Sequence, residues 1–127
     1  MEIDKLTGTI LHTCIKVHSK IGPGCFERVY EEVLYYEFYK CGIHVDRQVL
    51  MPISYDELLI DDAYRIDLLL ENKLIVEIKS VENLAAVHFK QIKTYLKLMN
   101  LKNGILLNFN TDLMKEGFHR VFNNKGI

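Results

Sequence analysis

Apolar side chains at Ile3, Leu6, Ile10, Cys14 and Val17 recur every three or four positions, the period of a helix with one buried stripe, and Gly22-Pro23-Gly24 ends it. A second helical stretch covers residues 26–40, with Val29, Tyr30, Val33, Leu34 and Phe38 available for burial and Cys41-Gly42 as its stop. The period then changes to two. Val45, Arg47, Val49, Met51, Ile53 and Tyr55 alternate with their neighbours as a strand does, and Pro52 within the run predicts an edge or a bulge. After a polar turn around Asp61-Asp62 come two strand-like arms, 64–70 and 74–79, rich in Leu, Ile and Val. Residues 84–99 follow as a third helix, 104–109 as a buried strand and 118–122 as a short final one. The order ααβββαββ predicts an α/β (α+β) fold in which a mixed sheet is flanked by helices.

The two arms and the turn Glu71-Asn72-Lys73 carry the chain's chemistry. Pairing Leu70 with Leu74 around this loop sets Asp67 opposite Glu77 and Arg65 opposite Lys79, with all these charges on one face. Leu69 and Ile75 share that face, while Tyr64, Ile66, Leu68, Leu70, Leu74, Val76 and Ile78 line the other. Facing carboxylates repel at the roughly 4.5–5.5 Å that separates paired Cβ atoms. A surface lattice offsets the repulsion, since Asp67 approaches Lys79 and Glu77 approaches Arg65 on the diagonals. A bound divalent cation does so too, and a hairpin apolar on both faces belongs inside a layered domain, where unpaired carboxylates are costly. Hard Mg²⁺ or Mn²⁺ takes carboxylate oxygens and water. The other Glu-x-Lys, Glu71-Asn72-Lys73, lies in the turn and is expected to be solvated.

Composition sets the outer bounds. The chain has 127 residues, 49% of them hydrophobic, which fits one domain over 1–127 with one sizeable core. No apolar run nears the roughly 20 residues that span a bilayer, and Glu2 and Asp4 interrupt any signal-peptide pattern, so a cytoplasmic protein is expected. Cys14, Cys25 and Cys41 lack the spacings of a zinc site or disulfide framework and read as core or near-core thiols. A net charge of −1 gives no broad electrostatic footprint for nucleic acid.

On the third helix, Gln91 and Tyr95 stack on one face with His88 a turn earlier. An amide and a phenol there could hold a phosphate or base near a metal, and they equally fit a polar shoulder on a packed helix. Lys90, Lys93 and Lys97 read as a solvated face. Basic side chains at Arg28, Lys90, Lys93 and Arg120 are compatible with backbone contact to nucleic acid.

Taken in order, Asp67, Glu77-x-Lys79 and Gln91-x-x-x-Tyr95 resemble the PD-(D/E)XK nuclease superfamily, in its branch of recombination and phage exonucleases. Ile66 stands where that pattern has a proline-like position. More narrowly, Gly24-Cys-Phe-Glu27-Arg-Val-Tyr30 resembles the signature of the GxxExxY protein family, with Val17-His18, Arg47-Gln48, Val87-His88 and Leu107-Asn108-Phe109 accompanying it. The resemblance implies a restriction-endonuclease-like core. It also implies that Asp67 and Glu77 hold Mg²⁺ or Mn²⁺, that Glu27 adds to the metal shell, and that Lys79 orients or activates water. Gln91, Tyr95 and His88 would contact substrate or brace the site, with Tyr30 packed beneath Glu27. Glu31 and Glu32 fit ordinary exposed helix positions.

The expected reaction is hydrolysis of a phosphodiester in nucleic acid, with DNA favoured. The alternative is a non-catalytic nucleic-acid-binding or protein-interaction module that keeps the fold. A chain this short reaches across a duplex more readily as a pair, so a homodimer or a partner protein for substrate recognition is expected, and the strand edge near Pro52 offers a surface.

Overall fold

A computed structural model describes residues 1–124. Helix α1 (Ile3–Ile21) and helix α2 (Glu27–Lys40) precede β1 (Val45–Tyr55), β2 (Leu58–Leu70) and β3 (Leu74–Lys79); α3 (Ala86–Met99) leads to β4 (Asn103–Asn108), a 3-10 turn (Met114–Gly117) and β5 (Phe118–Phe122). The sheet runs β1-β2-β3-β4-β5. β3 and β4 are parallel, joined by α3, and the other neighbours are antiparallel. This is the mixed, helix-flanked sheet that the periodicity predicts. α1 ends where Gly22 turns left-handed at φ 75°, a backbone that suits a residue without Cβ.

Two apolar layers clothe the sheet. Leu6, Ile10 and Cys14 of α1 and Leu34 and Phe38 of α2 pack on one face, against Leu68, Leu70, Val76, Ile78 and Leu107. Ile92, Tyr95 and Leu96 of α3 cover the other, against Ile66, Leu69, Ile75 and Leu106. β3 alternates strictly between them, but β2 does not. Tyr64 and Ile66 lie with Leu69 on the α3 face, whereas unbroken alternation puts them with Leu68. The pairs Arg47↔Leu68 and Val49↔Ile66 flank the break, Gln48 and Asp67 drop out of the ladder between them, and Gln48 takes φ 50°. Both strands exchange faces there.

β1 is an edge strand, and its register slips between Met51 and Ile53 around Pro52, so both expectations for that proline hold. The polar turn moves. Asp61 and Asp62 lie within β2, and the chain reverses at Asp56-Glu57, where Asp56 has φ 52°. Beyond the core the two strands continue as an exposed ribbon, with ladder bonds sustaining acidic positions that packing does not need. Glu71 is not merely solvated, because its carboxylate accepts the His44 N–H at 2.7 Å. Cys14 is buried and Cys25 half-buried, but Cys41 caps α2 and is exposed, so it is not a core thiol. Among the described residues no helix is long and apolar enough to cross a membrane.

The end of β3 is tied down from β4. Phe109 N–H donates to the Lys79 carbonyl at 3.0 Å, while the buried Asn108 amide accepts Val81 N–H at 3.1 Å and donates to the Val81 carbonyl at 2.9 Å. Gly117 backs this tie, because a Cβ there would lie 1.8 Å from the Asn108 carbonyl oxygen. Gly117→Ala is expected to cost on the order of 2–3 kcal/mol, as overpacking in a well-filled interior does. Urea unfolding checks this, and a midpoint equal to that of the wild type would contradict the close approach.

Candidate metal centre

β2 and β3 pair as the loop length predicts, with Leu70↔Leu74, Leu69↔Ile75 and Leu68↔Val76, and then part. Where Asp67 and Glu77 would meet next, side chains take over from the ladder. Asp67 N–H donates to Glu77 Oε1 at 3.1 Å, and Ile78 N–H donates to Asp67 Oδ2 at 2.8 Å. Each carboxylate thereby satisfies a main-chain donor that the opening would leave without a partner. The expected Arg65–Lys79 pairing does not form, because the face exchange turns Arg65 to the α2 side, where it lines a cavity with Asp67.

Glu77 is 3% exposed, and burial, then the nearby Asp67 charge, push its carboxyl up to about 9. Burial raises Asp67 as well, against the pull of the Ile78 N–H. Among the described residues no lysine or arginine forms an ion pair with either. The surface-lattice explanation therefore loses its salt bridges. A buried and a half-buried carboxylate that repel each other, both hard oxygen donors, fit Mg²⁺ or Mn²⁺, which bind through one or two carboxylates and keep several waters. Among the described residues no group of three His, Cys, Asp or Glu side chains converges as a ready-made cage.

The α3 side carries the lysine. Lys79 Nζ donates to Gln91 Oε1 at 3.4 Å, which directs the amine along the helix. Tyr95 is 4% exposed and meets Tyr64 edge to face at 5.5 Å between ring centroids. Burial, then the Glu77 and Asp67 charges, raise its phenol to about 12, so it remains a protonated donor at neutral pH. His88 Nδ1 accepts Ala85 N–H at 2.9 Å and caps the first turn of α3.

The α2 side supplies the frame. Glu27 Oε2 accepts Ser80 N–H at 3.3 Å, directly after Lys79, and lines the same cavity as Asp67. Tyr30 is fully buried, stacked on Phe109 at 4.2 Å, and its hydroxyl donates to the Gly22 carbonyl and accepts Cys25 N–H. Ser80 Oγ donates to the Cys25 carbonyl at 3.0 Å, so the turn at 22–26 is clamped onto the end of β3. Tyr30 is therefore a packing residue, held between Phe109 and the turn at Gly22 and Cys25. Glu31 corrects its expectation. It is 6% exposed, accepting from Arg47 at 2.9 Å and from the Gln48 amide, and its charge adds to the rise of Asp67.

Residues 4–121 match the model of the PD-(D/E)XK nuclease superfamily. The chain belongs to that superfamily. No curated protein and no solved structure matches it significantly. For a PD-(D/E)XK member the geometry brings Asp67, Glu77, Lys79 and Gln91 together, with Glu27 and Tyr95 beside them and His88 at the helix start. Reading the sequence for function left Ser80 and the buried role of Asn108 unassigned. Asn108 has a signal, a polar residue ending an otherwise apolar strand; Ser80 has none beyond its place after Lys79.

The raised Glu77 carboxyl contributes a pH dependence to stability. Folded, Glu77 keeps its proton to about 9; unfolded, it releases it near the ordinary 4.5. The native state binds more protons between these values, so this contribution is whole at low pH and is lost as pH rises through that window. In EDTA, melting temperature is expected to fall from pH 5.5 toward 9 more steeply in the wild type than in Glu77→Gln. Superimposable profiles would remove Glu77 as the cause.

Proposed function

We propose that this protein is a metal-dependent nuclease that hydrolyses phosphodiester bonds of nucleic acid, DNA being the favoured substrate. The observation that carries the reading is the Asp67–Glu77 pair, half-buried and buried, at the parting of β2 and β3, with Lys79 two residues beyond Glu77 and braced by Gln91. Asp67 and Glu77 would hold Mg²⁺ or Mn²⁺, and Glu27, which lines the same cavity as Asp67, would turn from Ser80 to add a carboxylate from α2. When bound, such an ion polarises a phosphoryl oxygen and lowers the pKa of water near neutral pH. Lys79 orients the attacking water or stabilises charge developing on the phosphoryl group, and Gln91 keeps its amine in place. Tyr95, buried and protonated one turn along α3, would brace the site through its packing on Tyr64.

Because Glu77 must give up its proton to ligate, metal binding should release protons and tighten as pH rises. Asp67→Asn and Glu77→Gln are expected to lose metal binding and cutting together. Lys79→Ala is expected to keep Mn²⁺ binding by calorimetry and to lose about 10²- to 10⁴-fold in turnover. The assay uses labelled single- and double-stranded DNA and RNA with Mg²⁺ or Mn²⁺, with each variant purified identically. Cutting by the wild type alone supports the nuclease; equal cutting by Lys79→Ala, or none by the wild type, favours a binding module with the same fold.

A further inference from the structure

On the α2 side of the carboxylate pair lies an open cavity of about 420 Å³ whose lining includes Asp67 and three arginines, Arg28 from α2, Arg47 from β1 and Arg65 from β2. The three guanidiniums are not equivalent. Arg47 donates to both Glu31 and Glu32 at 2.9 Å and lies over the Tyr35 ring. Arg28 and Arg65 have no ion pair and no side-chain hydrogen bond among the described residues. The acids around them are engaged elsewhere, Glu31 and Glu32 by Arg47 and Glu27 by Ser80 N–H. Arg65 reaches this side only through the face exchange at Gln48 and Asp67, a backbone arrangement with a left-handed non-glycine residue. Two free guanidiniums from different elements, facing one hollow beside the pair, suit a phosphate, whose oxygens match the planar fork of arginine.

We propose that Arg28 and Arg65 together grip a backbone phosphate of the nucleic-acid strand next to the one presented to Asp67 and Glu77. The grip rests on the nuclease reading for the identity of the strand, and it makes the α2 hollow, rather than the lysine face of α3, the strand's path beside the pair. The two arginines are positioning residues, so their contribution appears in binding.

The test is fluorescence anisotropy with short labelled single-stranded DNA, duplex DNA and single-stranded RNA, in the Lys79→Ala background with Mn²⁺. Arg28→Ala and Arg65→Ala are each expected to weaken the best probe about tenfold, and each to flatten the slope of log affinity against log salt by about one. Arg28→Lys and Arg65→Lys should retain most of the slope and lose part of the affinity. Melting temperature and calorimetric Mn²⁺ affinity should be unchanged, which separates this grip from damage to the metal centre. Unchanged affinity and slope in the alanine variants, or no binding of any probe by the parent, overturns the proposal. A nucleoside monophosphate competing as strongly as the oligonucleotide also overturns it, because the grip would then belong to a single nucleotide. Failure of the nuclease reading looks different: a wild type that never cuts while its binding still depends on both arginines.

Discussion

Two main-chain N–H groups, those of Asp67 and Ile78, are satisfied by carboxylates instead of by the sheet, and the rest of the site depends on that exchange. A sheet can open in its middle only if the donors it abandons find other acceptors, since each buried orphan costs about 1–3 kcal/mol. The reciprocal contacts meet that requirement and bring two acids side by side, Glu77 buried and Asp67 at the wall of the α2 cavity. Burial holds Glu77's proton, and the nearby Asp67 charge strengthens that hold. Opening the sheet and bringing the two acids together are thus one event.

The surroundings divide the work by face. On the α3 side, Gln91 directs Lys79, while Tyr95 presents a protonated phenol in the apolar layer. On the α2 side, Tyr30 fixes the turn that Ser80 clamps, and Glu31 gathers Arg47 and Gln48. From β4, Asn108 secures the backbone beyond Lys79.

Much of this was legible in residue spacing. The three-residue turn fixed the pairing of Leu70 with Leu74, and that register brings Asp67 to Glu77. Helix bounds followed from the periodicity and the glycine stops. The facing of Tyr64, Ile66 and Arg65 was not legible, because alternation assumes an unbroken strand and the break lies at Gln48, a residue with no special propensity for a left-handed backbone. Glu31 looked solvated for a similar reason. Its burial depends on Arg47 and Gln48 from a distant strand, and no local pattern reports such a partner. The turn misplaced at Asp61-Asp62 shows the converse, polar residues in a ribbon that packs against little.

The central pair and its frame also differ in how far apart they lie along the chain. Asp67 and Glu77 are ten residues apart, while Glu27 and Ser80 are separated by 53 and Glu31 and Arg47 by 16. Closing a short loop costs little chain entropy, and the cost grows only slowly with length, but long-range partners must await the assembly of whole layers. The two acids therefore come within reach of each other as soon as one hairpin forms. The arginines, the clamp and the buried frame arrive only with the finished fold, so the carboxylate pair is local in origin while its surroundings are a property of the entire molecule.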